Sequence, residues 1–236
     1  MKQTYRAMQV SRPGVLELVE RTTPAPGMGE VLIAVEACGI CGADVGDIEG
    51  VDPALQPPRV PGHEVVGRIV ALGEHTPGIW KVGQRVGIGR LGGHCNECPQ
   101  CRQGRFQLCQ NQPFVGASRD GGYAEMMLAR ATGLVSIPEQ LDAEEAAPIL
   151  CAGIATFNAL KKSGAQAGDT VAILGIGGLG TWPCSTRAAW GSRSWPSGVA
   201  ATSRRTRSIW ARTSTSTAGP RMRRRRCKPM AARKRW

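Results

Sequence analysis

The chain has 236 residues, 30 Lys and Arg against 18 Asp and Glu, and a formal net charge of +12, at a length near the point where a single core stops growing. The charge is not spread along it: the first 180 residues hold 15 of the basic residues and all 18 acids, whereas residues 181–236 hold the other 15 basic residues and no acid. Leu, Phe, Tyr, Asn, Gln and His are also absent after residue 180, while five of the six Trp fall there, so this last stretch is not composed like an ordinary fold.

The amino-terminal run MKQTYRAMQV leads into SRPGVLELVE without the apolar core of a secretory signal, and no stretch approaches the roughly 18 apolar residues of a membrane helix. The expected compartment is the cytoplasm. Nine Cys in a reducing compartment point to metal binding or catalysis rather than disulfides.

In chain order, VLIAVEA (31–37), EVVGRIVAL (64–72) and QRVGIG (84–89) are apolar, β-branched runs punctuated by Gly and Pro, which predicts a mainly β first domain. Cys38 and Cys41 form a CxxC at the end of the first run, and His63 sits in Pro61-Gly62-His63-Glu64 just before the second. Four Cys then crowd together: Cys95, Cys98 and Cys101, then, after seven intervening residues, Cys109. Thiolates at this spacing suit a tetrahedral zinc with Zn–S bonds of about 2.3 Å; a redox disulfide is the alternative, but it leaves two thiols without a role. Four protein ligands leave no open position, so such an ion braces a loop. Asp142 and Glu145 read as a capping box that opens a helix, and Cys151 follows in the apolar stretch Pro148-Ile149-Leu150. A catalytic zinc needs three protein ligands and one exchangeable site, and the scattered Cys and His outside the four-Cys stretch are the candidates.

The strand-like run 169–174 leads directly into Gly175-Ile176-Gly177-Gly178-Leu179-Gly180, a GxGxxG placed where a dinucleotide-binding turn needs it. The helix that should follow would aim its first N–H groups at the phosphates. The pattern then fails. Pro183 falls three residues after Gly180, no apolar stripe follows, and the acid expected about 20 residues on has no counterpart, because Asp169 is the last acid. The remaining strands of a dinucleotide fold are expected to be missing.

The ordered set, Cys38-Gly39-Ile40-Cys41 with Asp44, then Gly62-His63-Glu64, the four-Cys stretch, Cys151 and the glycine run, resembles the zinc-containing alcohol dehydrogenases of the medium-chain dehydrogenase/reductase group. The resemblance covers residues 1–180. It implies an α/β protein: a mainly β, GroES-like zinc-binding domain over residues 1–150, and the start of a Rossmann-type dinucleotide-binding domain over 151–180. It implies that Cys41, His63 and Cys151 are ligands of a catalytic zinc, that Cys38 is not a ligand, that Glu64 stands behind the metal, and that Asp44 orients a ligand. Cys95, Cys98, Cys101 and Cys109 would hold a structural zinc, making two ions per chain. Gly175, Gly177, Gly178, Leu179 and Gly180 would bind NAD or NADP. The implied reaction interconverts an alcohol with an aldehyde or ketone, with the zinc as Lewis acid and NAD(P) as hydride acceptor. Intact members are usually homo-oligomers working on small molecules, with no membrane or nucleic-acid partner. One departure stands out: Ala43 lies two residues after Cys41, where many members carry a Ser or Thr that relays a proton.

Three readings of residues 181–236 follow. The first is a disordered basic arm around an inactive, zinc-braced remnant. The second is a nucleic-acid-binding segment centred on Arg221 to Arg226, whose charge favours phosphates in a salt-dependent way. The third is that a base lost near the Gly180 codon leaves the family's own sequence read out of frame. Regrouped codons from Thr181 to Thr186 permit His-Leu-Ala-Val-Gln-Tyr, in which the Ala is forced by Trp182 and Pro183. Codons for Trp190 and Gly191 likewise force a Gly, and those from Ser208 to Thr217 permit a plausible helix end and strand. The third reading accounts for most of the composition.

Overall fold

A computed structural model describes residues 3–51, 57–166, 169–175, 177–180 and 193–197. The chain divides into two units, with the boundary between Cys151 and Ala152.

The first unit begins with a hairpin, β1 (Thr4–Arg12) and β2 (Val15–Thr22), paired antiparallel and turned at Gly14, whose φ of 78° suits a residue without a Cβ. Tyr5, Ala7 and Val10 are its buried residues on β1. The main sheet contains β3 (Glu30–Gly39), β4 (Glu64–Leu72), β5 (Arg85–Ile88), β6 (Met126–Arg130) and β7 (Val135–Ser136). Its order is β6-β3-β4-β5-β7, and every pair is antiparallel. Each of the three apolar runs expected to be strands becomes one, and the second coincides with β4 residue for residue. Short helices fill the connections: α1 (Gly42–Glu49), α2 (Pro99–Arg102) and α3 (Ala143–Ala146).

Strand β4 is buried on both faces, so its sequence is a continuous apolar run rather than an alternation. Val65 faces a core with Ile33, Trp80, Ile88 and Met127. Val66 faces the other way, against Ala146 and Ala147, with Ile137, Leu141 and Leu150 packed around them. That second layer carries the chain toward Cys151.

The expected capping box at Asp142 is corrected in detail. Asp142 is the N-cap of α3, but its side chain makes no capping hydrogen bond. The helix lasts only four residues before tightening into the 3-10 turn Ala147–Leu150, because Pro148 has no N–H to continue the ladder.

Arg85 fastens this layer to the sheet. Its side chain is 8% exposed, and its Nε donates to Glu36 Oε2 on β3 at 2.7 Å. Its Nη1 donates to the carbonyls of Leu141 at 2.5 Å and Pro138 at 3.3 Å.

In the second unit, α4 (Ala152–Lys162) ends on Lys161 and Lys162, where cations favour the helix dipole. Strand β8 (Thr170–Leu174) pairs in parallel with β9 (Arg193–Ser197), Thr170 opposite Arg193 and Leu174 opposite Ser197. One strand thus follows the glycine run, where the remaining strands of a dinucleotide fold were expected to be missing; the rest of that expectation lies outside the described residues. Pairing engages backbone groups that every non-proline residue carries, so a basic, aliphatic-poor sequence can still supply a neighbour strand. Pro183, Arg221–Arg226 and the other tail residues outside 193–197 lie outside the described residues. Among the described residues, no helix is long and apolar enough to cross a membrane.

Replacing Arg85 by Ala leaves Glu36 with Arg68 as its remaining cation, 2.8 Å away, and removes the side-chain donor from the two carbonyls, a loss of roughly 1–3 kcal/mol. Urea unfolding of Arg85→Ala is therefore expected to show a lower midpoint at an unchanged m-value. A midpoint within error of the native chain contradicts the role given to Arg85.

Candidate metal centre

The first candidate site is assembled by turns. Cys41 is the extended N-cap of α1, just past the end of β3. Asp44, three residues on, reaches back to accept the Cys41 N–H at 2.8 Å, one half of a capping box. His63 enters through Gly62, whose φ is 95°, where a Cβ would collide with the Tyr123 ring. At Gly39 a Cβ would occupy the place of the Glu64 carboxylate. Cys151 follows the 3-10 turn, and Gly89 at the end of β5 lets the Leu150 carbonyl approach so closely that a Cβ would clash with it.

These constraints bring Cys41, His63, Glu64 and Cys151 together, with their ligand atoms all within 4.8 Å of one another. The thiols of Cys41 and Cys151 are 3.8 Å apart. Two sulfurs on one tetrahedral ion, each bonded at about 2.3 Å, stand about 3.8 Å apart, whereas a disulfide requires about 2.05 Å. Two thiols, an imidazole and a buried carboxylate are a donor set that zinc accepts.

Asp44 and His63 are each 1% exposed. Asp44 Oδ1 lies 2.9 Å from His63 Nδ1, and Oδ2 accepts the Tyr123 hydroxyl at 2.8 Å. Burial alone would raise the Asp44 pKa, but hydrogen bonds from His63, the Cys41 N–H and Tyr123 outweigh it and hold the carboxyl below its ordinary value. Burial, then the Asp44 carboxylate, pushes the Tyr123 hydroxyl up, so it remains a donor. Burial raises Glu64 against the opposing pull of His63. The Cys151 thiol is pushed up to about 12 by burial and by Cys41, so without a cation it keeps its proton.

Cys38 lies outside this group; its thiol, pushed up to about 12 chiefly by burial, is a small hydrophobe against Gly62 and Gly122. Asp47 forms a further group with Asp44 and His63, but both of its oxygens are taken by Arg90, Oδ1 at 2.9 Å from Nη2. A guanidinium already neutralises that carboxylate.

In the second cluster, Cys95, Cys98, Cys101 and Cys109 also lie within 4.8 Å of one another. Cys95 Sγ is 3.6 Å from Cys109 Sγ and 3.9 Å from Cys101 Sγ, again spacings for a shared tetrahedral ion rather than for bonded sulfurs. The Cys98 N–H points at Cys95 Sγ at 3.4 Å, and N–H donors from Cys98 and Glu97 lower the Cys95 thiol to about 6. Burial pushes Cys101 up to about 12.

Residues 27–139 match the alcohol dehydrogenase GroES-like domain. An alcohol dehydrogenase of Geobacillus stearothermophilus is 48% identical over 168 residues, 70% of this chain and 49% of that protein. Residues 27–139 therefore belong to the alcohol dehydrogenase GroES-like domain family. An acetophenone reductase from Geotrichum candidum, solved in complex with NAD, superposes with a TM-score of 0.73 at 30% identity, covering 83% of this chain and 58% of that one. A thermostable alcohol dehydrogenase from Pyrobaculum aerophilum, with cobalt and zinc bound, gives a TM-score of 0.71 at 30% identity, covering 82% and 59%. The chain spans about half the length of the relatives it matches.

The family's glycine run lies in the second unit. Gly175 has a φ of 86°, residues 178–180 are helical, and a Cβ on Gly180 would overlap the Gly175 carbonyl. The turn therefore requires glycine at both ends, whereas Gly177 and Gly178 have open space around them. A cavity of about 600 Å³ lined by Tyr5, Arg21, Arg59, Arg119 and Asp120 contains none of the candidate ligands, so donor chemistry rather than concavity marks the site.

Sequence reasoning missed Tyr123, Arg85 and the Asp47–Arg90 pair. The signal for Tyr123 was the preceding Gly121-Gly122, since glycines in extended chain often mark close backbone approach. Gly89→Ala is expected to push Leu150 and Cys151 outward. A crystal structure of that variant should show the Cys41–Cys151 separation lengthened with the four-Cys cluster unchanged; an unaltered separation contradicts the packing account.

Proposed function

We propose that residues 1–180 are the zinc-holding domain and opening cofactor segment of an oxidoreductase that interconverts alcohols with aldehydes or ketones, using NAD or NADP as hydride acceptor. The observation that carries this is the pair of thiols 3.8 Å apart beside a buried imidazole whose other nitrogen is engaged by Asp44. In this reading Cys41, His63 and Cys151 are the three ligands of the catalytic ion, with Glu64 beside them and Asp44 orienting His63. Zinc bound there supplies Lewis acidity toward an alcohol oxygen. Cys95, Cys98, Cys101 and Cys109 hold a second ion with no open position, which braces the loop. Gly175, Gly177, Gly178, Leu179 and Gly180 receive the pyrophosphate of the dinucleotide.

The chain's own groups constrain the proton's route. Ala43 is exposed and has no hydroxyl, so a proton leaving an alcohol has no side-chain acceptor at that position: water or the cofactor ribose would have to carry it, or the activity is not a standard alcohol oxidation. Small-molecule alcohols, a homo-oligomeric assembly and a cytoplasmic setting belong to the same proposal.

A second reading applies to the chain as printed. Residues 181–236 contain no acid to hold a ribose hydroxyl, and their composition is that of a family sequence read out of frame. The 236-residue product is therefore proposed to be a zinc-binding protein of impaired catalysis, and the basic tail is not assigned to nucleic acid.

Two measurements test these readings. Metal analysis of the purified chain should find two zinc ions, with Cys41→Ser losing one and keeping its fold, and Cys95→Ser losing the other together with solubility. A native content below one ion per chain removes both assignments. The 236-residue product should bind NAD(P) poorly and turn over alcohol little, while restoring one base near the Gly180 codon should yield a longer protein that binds NAD(P). Ordinary dehydrogenase activity from the unrestored chain, or an early stop in the restored frame, sinks the out-of-frame account.

A further inference from the structure

Tyr123 offers no atom to either cluster, yet its hydroxyl donates to Asp44, the carboxylate beside His63. Asp44 Oδ2 accepts both the Tyr123 hydroxyl and the Cys41 N–H, each at 2.8 Å, while Asp44 Oδ1 lies 2.9 Å from His63 Nδ1. A carboxylate oxygen has about two lone-pair sites. Two donors therefore fill Oδ2 and fix the carboxylate's rotation, so that Oδ1 points at the ring. An ionised carboxylate only accepts hydrogen bonds, so His63 Nδ1 carries the proton and Nε2 keeps its lone pair.

The backbone holds Tyr123 and His63 in fixed register. Gly121 N–H donates to the Val60 carbonyl at 2.7 Å, Gly122 N–H to Gly62 at 2.9 Å and Tyr123 N–H to Pro61 at 3.0 Å. The Tyr123 ring fills the space that a Cβ on Gly62 would need. The segment that delivers the hydroxyl is thus bonded to the segment that delivers the imidazole.

We infer that Tyr123 is a positioning residue for the metal centre: by pinning Asp44, its hydroxyl selects the His63 tautomer and ring orientation that present Nε2 to the ion. This rests on the assignment of Cys41, His63 and Cys151 as ligands. Removing the hydroxyl leaves Oδ2 with one donor and lets the carboxylate rotate away from His63, while the phenyl ring still packs over Gly62. The effect falls on the ion and not on the core.

The test compares the full 236-residue chain with Tyr123→Phe, Asp44→Asn and the double variant, each loaded with zinc and titrated with a chelator. Groups behind metal ligands change affinity by about 10–100-fold; Tyr123 acts through Asp44, so the lower end, about tenfold, is expected for one ion, with the four-Cys ion unchanged. Thermal melting of Tyr123→Phe should be little altered, and with Co²⁺ in place of zinc the visible absorption of the Cys/His/Cys centre should shift. The double variant should bind no more weakly than Asp44→Asn alone, because the two residues act in series.

Native-like retention of both ions by Tyr123→Phe overturns the inference, as does an additive double variant. Loss of both ions together, with melting, also overturns it, since the tyrosine then supports the fold instead of the ion. A native chain that holds only the four-Cys ion refutes the ligand assignment itself and this inference with it. A native chain with two ions and a tight Tyr123→Phe refutes the inference alone.

Discussion

Groups that resist crowding are kept crowded in this protein. Two thiols, a carboxylate and an imidazole share one small volume, and backbone approaches at Gly39, Gly62 and Gly89 remove the space into which they could separate. Such a set is stable where a cation balances it, because an uncompensated buried charge costs several kcal/mol. Without an ion, burial and the neighbouring Cys41 keep the proton on the Cys151 thiol; a bound cation would exchange that proton for a metal bond. Much of the first unit can be read as scaffolding for that choice.

The scaffolding depends on β4. Val65 enters one core and Val66 the other, so the strand cannot slip by one residue without exchanging its two buried faces. His63 and Glu64 stand at its start and inherit that register. Arg85 holds the outer layer to the sheet through Glu36 and two carbonyls, and that layer ends at Cys151. The candidate ligands are far apart in the chain, yet each lies within a residue or two of an element whose position the packing determines.

Most of this was legible in the sequence where chemistry and periodicity coincide. The runs that became β3, β4 and β5 are apolar and β-branched, and the thiol spacing of the four-Cys stretch needs no tertiary information. The amino-terminal hairpin was less visible, because β1 and β2 mix charged and apolar residues and bury little beyond Tyr5, Ala7 and Val10. Tyr123 was illegible as a partner of Asp44, since 79 residues separate them and no local pattern reports a hydrogen bond formed at that sequence distance. The capping box at Asp142 looked sound locally, yet the Asp142 side chain makes no capping bond; Pro148 accounts only for the early end of the helix. Strand β9 was missed for a different reason: composition speaks of side chains, whereas pairing with β8 uses the backbone.

The four-Cys cluster also has a chemical hazard written into it. N–H donors around Cys95 pull its thiol down to about 6, toward the thiolate, and the Cys109 sulfur stands only 3.6 Å away. Thiolates are the form that oxidants attack. An ion in this cluster therefore acts as a chemical protecting group as well as a brace. In a chain without that ion, oxidation by air that closed Cys95 onto Cys109 would leave a loop unable to take a metal until it is reduced.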